Sequence, residues 1–170
     1  YKRQLRTYLW FWGRWDEHVE LSKWAHDGAW ALNDDQMACL TAHDIAFISI
    51  RRGDLENARD WTERHIGIAE DSGNPLQQAI GKRLLGLINE NEGRLDEAEK
   101  LYREALSVCR SLSNDEDTAI ILGDLGQVTR KQGKLDQAKE YYDEAFRLDS
   151  KLGDRDGTVS YTHLTLPTKA

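Results

Sequence analysis

Apolar residues recur every three or four positions along most of the chain. After Gly133, the residues Leu135, Ala138, Tyr142, Ala145 and Leu148 fall on one helix face. Asp136, Glu140 and Glu144 alternate with Lys139, Arg147 and Lys151 on the remaining surface, as a solvated helix requires. The same stripe stands 40 residues earlier as Leu95, Ala98, Tyr102, Ala105 and Val108. Before each of these helices the pattern predicts another. One runs through Ala119, Ile120, Leu122, Leu125, Gly126 and Thr129, the other through Ile80, Leu84, Leu85, Gly86 and Ile88.

The turns keep the same period. Gly93-Arg94-Leu95-Asp96-Glu97-Ala98 recurs as Gly133-Lys134-Leu135-Asp136-Gln137-Ala138, upstream as Gly53-Asp54-Leu55-Glu56-Asn57-Ala58, and weakly as Gly13-Arg14-Trp15-Asp16-Glu17-His18. A second set of turns is Asn33-Asp34, Gly73-Asn74, Ser113-Asn114 and Gly153-Asp154. Each unit is therefore expected to be a hairpin of two helices, with units at about 1–32, 33–72, 73–112 and 113–152 and a fifth beginning at 153–158. Pro75 fits the first turn of its helix, where a missing N–H costs nothing. Gly86 and Gly126 lie mid-helix, which predicts close approach of a partner helix at its small positions Ala98, Ala105, Ala138 and Ala145, with Tyr102 and Tyr142 filling the wider gaps.

Leu-Gly followed by Gly-x-Leu-x-x-Ala-x-x-x-Tyr-x-x-Ala resembles the tetratricopeptide repeat in a long, 40-residue form. The match is strongest in Asn74–Leu112 and Asn114–Leu152. Arg6 and Ala46 replace the glycine of the first helix, and His18, Ser22, Thr62 and His65 stand where the pattern has alanine or an aromatic residue. The resemblance implies an all-α, right-handed solenoid of antiparallel helix hairpins whose concave face, lined by the first helix of each pair, binds other proteins. Carried over by the 40-residue register, that groove falls on Arg3, Thr7, Trp10 and Phe11; on His43, Phe47, Ile50 and Arg51; on Arg83, Leu87, Glu90 and Asn91; and on Gly123, Gln127, Arg130 and Lys131. Five cations face one acid there, a net +4 on a chain of net −7. This predicts either an acidic partner segment anchored by Trp10, Phe11, Phe47 and Leu87, or an ordinary solvated face rich in arginine.

Composition then removes whole classes of function. Acids exceed bases, 30 to 23, which argues against a general nucleic-acid binder. No apolar run approaches the roughly 18 residues of a membrane span. Cys39 and Cys109 suit a reducing, cytoplasmic setting and read as small buried hydrophobes. There is no nucleophile elbow, no zinc-protease motif and no Cys-x-x-Cys, and Gly73 to Arg83 has the wrong spacing for a phosphate loop. His18, His26, His43 and His65 form no ligand pair at helical spacing. No enzyme activity, metal or cofactor is expected.

The aromatic stretch Leu9-Trp10-Phe11-Trp12-Gly13-Arg14-Trp15 more loosely resembles the repeat arms of bacterial signalling ATPases and transcription regulators. That implies a non-enzymatic scaffold within a larger bacterial protein; the alternative is a receptor that closes around a short signalling peptide. Trp15 is expected to fill the core, and Trp24 and Trp30 to pack against neighbouring units. Tyr1-Lys2-Arg3 is not a translation start, and Val159–Thr168 resembles a sequencing adapter read in frame. Residues 159–170 are thus expected to be a non-native tail on a piece of a longer chain.

Overall fold

The computed structural model describes residues 14–156, and within them the chain is seven helices with no strand. They are α1 (Trp15–Ala31), α2 (Asp35–Arg52), α3 (Leu55–Asp71), α4 (Pro75–Asn91), α5 (Leu95–Ser111), α6 (Asp115–Lys131) and α7 (Leu135–Asp156). Successive helices pair as α2/α3, α4/α5 and α6/α7.

Each turn is built on one left-handed residue. Positive φ occurs at Asn33, Gly53, Gly73, Gly93, Ser113 and Gly133, once every 20 residues. This reverses the chain and lets the next N–H groups bond back to the last carbonyls, as Asp54 N does to Ser49 O at 3.0 Å. The following residue caps the next helix: Asp34, Asp54, Asn74 and Asn114 accept from first-turn backbone N–H groups. The expected turn at Gly153–Asp154 does not form, and α7 continues through it to Asp156. At every earlier turn the next helix packs back on its predecessor.

The helices lie in two layers. The inner helices α2, α4 and α6 touch in sequence, whereas the backbones of α1, α3, α5 and α7 stay more than 8 Å from one another. Long side chains span the wider outer gaps, as Arg110 does to Glu144 at 2.6 Å. A stack closer on one side than the other must curve, so the inner helices line the concave face.

Between the layers the buried apolar side chains form three clusters, the two larger ones bridged by Leu87. Ile45, Leu84, Ile88, Ile121, Leu122, Leu125 and Val128 are fully buried, each contributing about 1.5–3 kcal/mol by leaving water. Gly86 and Gly126 are required by the two tyrosines. A Cβ on Gly126 would lie 2.6 Å from the Tyr142 ring, and one on Gly86 would enter the Tyr102 ring. The tyrosine ring itself thus occupies the space left by the glycine, rather than a neighbouring gap. His65 is completely buried opposite Gly81, where a Cβ would lie 2.6 Å from Ile66 and 3.3 Å from the His65 ring. Cys39 and Cys109 are buried free thiols; burial, with Asp35 and Asp117 nearby, pushes each up to about 11.

The tryptophans divide. Trp15 is half-buried, with the Arg52 guanidinium 5.8 Å from its ring centre. Trp24 and Trp30 do not pack on neighbouring units among the described residues: they are 72% and 67% exposed. They stand in register with Arg64, Glu104 and Glu144 and with Glu70, Arg110 and Ser150, positions on the outward side of the second helices.

Candidate functional site: the concave face of the inner helices

Residues four, seven and eleven apart return to one side of a helix, so each inner helix presents one stripe to the concave face. On α2 the stripe is Leu40, His43, Phe47 and Arg51; on α4, Ile80, Arg83, Leu87 and Asn91; on α6, Ile120, Gly123, Gln127 and Lys131. The stripes align into rows. Leu40, Ile80 and Ile120 form an aliphatic row toward the N-terminal ends of the helices, and Arg51, Asn91 and Lys131 form a polar row toward the C-terminal ends. Sequence reading missed the aliphatic row, because the register was counted from the second residue of the stripe onward. Its signal is in the chain: an aliphatic residue recurs at 40-residue intervals, and Leu40 and Ile120 remain 40% and 41% exposed.

The electrostatics differ from the expected +4. Arg83 Nε donates to Asp124 Oδ2 at 2.5 Å, and the guanidinium lies 5.8 Å from the centre of the Phe47 ring. Burial alone would disfavour the Arg83 charge, but Asp124 outweighs it and raises the pKa of the guanidinium. Glu90, 4% exposed, accepts from Lys131 Nζ at 2.8 Å, from Gln127 Nε2 at 2.6 Å and from the Tyr102 hydroxyl at 2.9 Å. Burial and the nearby carboxylates of Asp124 and Glu90 raise the Tyr102 pKa, so its hydroxyl stays a donor. Asp44, one place beyond His43, lies 3.4 Å from His43 Nδ1 and 3.5 Å from His18 Nε2. Asp44 and Asp124 are the acids that the carried-over register stepped past. They leave the concave face near neutral at its centre.

Most of the expected groove residues come together. His43, Phe47, Arg51, Arg83, Leu87, Asn91, Gln127 and Lys131 share the concave face, with His43 and Phe47 stacked at 5.9 Å. Three expected positions do not belong to it. Ile50 and Glu90 are buried where one inner helix packs against the next, and Arg130, in register with them, lies on the open flank of α6. Arg3, Thr7, Trp10 and Phe11 lie outside the described residues.

Gly123 stands in register with His43 and Arg83 yet carries no side chain, and a Cβ built there would meet nothing within 4 Å. Glycine inside a helix costs about 1 kcal/mol relative to alanine. At Gly86 and Gly126 a tyrosine accounts for that cost; at Gly123 no packing contact does. Gly123 therefore leaves an open position on the concave side of α6, next to Asp124.

Among the described residues no group of three or more metal-ligating side chains converges, and no helix is long and apolar enough to cross a membrane.

Two comparisons bear on this architecture. A family model described as tetratricopeptide repeat matches residues 77–151. The crystal structure of BtubC (BKLC) from P. vanneervenii superposes with a TM-score of 0.66 at 20% identity, over 81% of this chain and 58% of that one. At that identity the likeness is one of fold, and this chain spans 58% of that neighbour's length. No curated protein matches the sequence. Tetratricopeptide repeats are in general non-catalytic modules for protein–protein interaction. Residues 77–151 match the tetratricopeptide repeat, and the chain is an all-α helical-repeat protein of that kind of fold.

Proposed function

We propose that this chain is a non-enzymatic interaction scaffold that receives a segment of a partner protein along the concave face of α2, α4 and α6. The observation that carries the reading is the alignment of three inner helices into one face with graded chemistry. It runs from the aliphatic row Leu40, Ile80 and Ile120, through Phe47 and Leu87, to the polar row Arg51, Asn91 and Lys131. Such a face matches the mixture of apolar anchors and polar rim that protein interfaces use.

An acidic partner retains support at one edge only. Arg51 makes no ion pair with another described residue, and Lys131 keeps a 41% exposed side chain while bound to Glu90. The central Arg83 is already neutralised by Asp124. The setting we infer is a larger bacterial signalling or regulatory protein in the cytoplasm. Its support is the loose likeness of Leu9–Trp15 to the repeat arms of such proteins and the two buried free thiols.

The test is a selection of random 12-residue peptides on the immobilised chain, followed by affinity measurements on variants. Arg51→Glu combined with Phe47→Asp is expected to weaken the selected peptides at least tenfold, and Arg147→Glu on the outer layer to leave them unchanged. Binding lost only in the outer-layer variant would place the site elsewhere.

A further inference from the structure

We propose that the gap between α5 and α7 in the outer layer is a binding site for a phosphomonoester group carried on a small apolar or aromatic body. The site lies on the layer opposite the concave face and does not depend on what that face binds.

The gap holds a recess of about 320 Å³, lined by Arg103, Leu106, Ser107 and Arg110 of α5 and by Tyr141 of α7. That size falls within the roughly 300–1,000 Å³ of small-ligand pockets. Part of its lining is apolar, since Leu106 is buried and Tyr141 packs on the same core cluster. Its polar side chains are two guanidinium groups and two hydroxyls. Glu99 Oε1 accepts from Arg103 Nε at 3.0 Å and Nη2 at 2.7 Å, and Glu99 Oε2 accepts from Lys134 Nζ at 2.9 Å. Glu144 Oε1 accepts from Arg110 Nη2 at 2.6 Å. Three cations thus share two carboxylates, which leaves this group one positive charge in excess. Arg110 hydrogen-bonds through Nη2 alone, so its Nε and Nη1 keep free donors. Neither the Ser107 nor the Tyr141 hydroxyl has a hydrogen-bond partner among the described residues.

These features select the ligand. An excess cation with unused N–H and O–H donors around it calls for an anion, and the side chains of Arg103 and Arg110 are half exposed and free to turn toward one. A carboxylate offers two oxygens in one plane. A phosphomonoester offers three, with roughly two negative charges at neutral pH, and so can meet donors on both sides of Ser107. The recess is larger than a bare phosphate, and Leu106 with the Tyr141 ring gives an attached body an apolar surface to cover. The repeat itself asks for neither the arginines nor the hydroxyls. At the preceding outer gap, in the 40-residue register, the same places hold Glu63, Ile66, Gly67, Glu70 and Leu101.

The experiment titrates the full chain with phenyl phosphate and with a short peptide carrying one phosphotyrosine, each beside its unphosphorylated counterpart, and follows amide shifts by nuclear magnetic resonance. Both phosphorylated probes are expected to bind at least tenfold more tightly than their counterparts and to shift the amides of Arg103, Ser107, Arg110 and Tyr141. Arg110→Gln and Ser107→Asp should each weaken them at least fivefold, while Lys23→Glu, a larger charge change far off on α1, alters affinity less than twofold. Ser107→Asp substitutes an exposed position and keeps both arginine ion pairs, and circular dichroism melts keep folding separate from binding. Equal affinity for the two phosphorylated probes identifies free phosphomonoesters as the ligand, and a further tenfold gain for the peptide identifies a phosphorylated protein segment. Phosphorylated probes that bind no better than their counterparts, or that bind either variant as tightly as the parent chain, overturn the inference.

Discussion

Ser113 occupies a left-handed turn position, φ 53°, that glycine holds at four of the six turns. A residue with a Cβ is strained there by about 1–2 kcal/mol, partly offset by the extra freedom glycine has in the unfolded chain. Ser113→Gly is therefore expected to stabilise the protein by about 0.5–1 kcal/mol, measured by chemical denaturation. No change, or a loss, would show that Ser113 makes a compensating contact.

His65 supplies the pH dependence at this scale. Its Nδ1 lies 3.0 Å from Cys39 O and its Nε2 2.9 Å from Gln77 O, two acceptors for a ring that donates only one proton when neutral. Burial lowers its pKa, against the pull of the two carbonyls and with the help of nearby His43. A base whose folded pKa is depressed binds its proton more readily when unfolded. Stability should thus be full above about pH 6.5 and fall as the pH drops below it. His65→Ala, the residue found at Ala105 and Ala145, should flatten that part of the melting-temperature profile even if it lowers the whole curve. Glu99 acts further down. Burial would raise its pKa, but hydrogen bonds from Lys134, Arg103 and Gln132 hold it at about 2, so a second loss is expected as the pH falls below about 4.5. The histidine's burial was not legible in the sequence, because nothing local says that Gly81 lies opposite it.

The contrast among helix glycines belongs to the scale of the element. Gly126→Ala would drive a methyl group into the Tyr142 ring and should destabilise by about 1–3 kcal/mol, whereas Gly123→Ala meets open space and should stabilise by up to about 1 kcal/mol. Thermal melts of the two variants should therefore move in opposite directions. Periodicity placed both glycines in the same helix but could not separate them. What separates them is which neighbour lies across the interface: the tyrosine that follows Gly126 in the hairpin, against solvent beside Gly123. Helix boundaries were legible for a related reason. Turn glycines, capping Asp and Asn residues and Pro75 are local signals, and the structure uses each of them. The run of α7 through Gly153–Asp154 shows the limit of such signals, since the same residue types there stand inside a helix.

The whole molecule sets what the groove can be. Hairpins related by a 40-residue period bring equivalent positions of α2, α4 and α6 side by side, so a groove assembled from distant residues was largely readable from the register. Its charge was not. The net +4 expected from single positions does not describe the face: Arg83 is paired with Asp124 and Lys131 with Glu90, Arg130 lies off the face, and Asp44 adds a carboxylate beside His43. The same pairing argues that binding should weaken only modestly with salt, because few cations remain uncompensated on the face. Peptide affinity is expected to change less than tenfold between 50 and 500 mM sodium chloride; a steeper dependence would restore an electrostatic groove.

The most direct test of the concave face as the binding face is amide hydrogen exchange on the full chain, with and without a saturating selected peptide. Added protection should concentrate in α2, α4 and α6, while α1, α3, α5 and α7 exchange as before. Protection centred on the outer helices, with the inner three unchanged, would contradict the account.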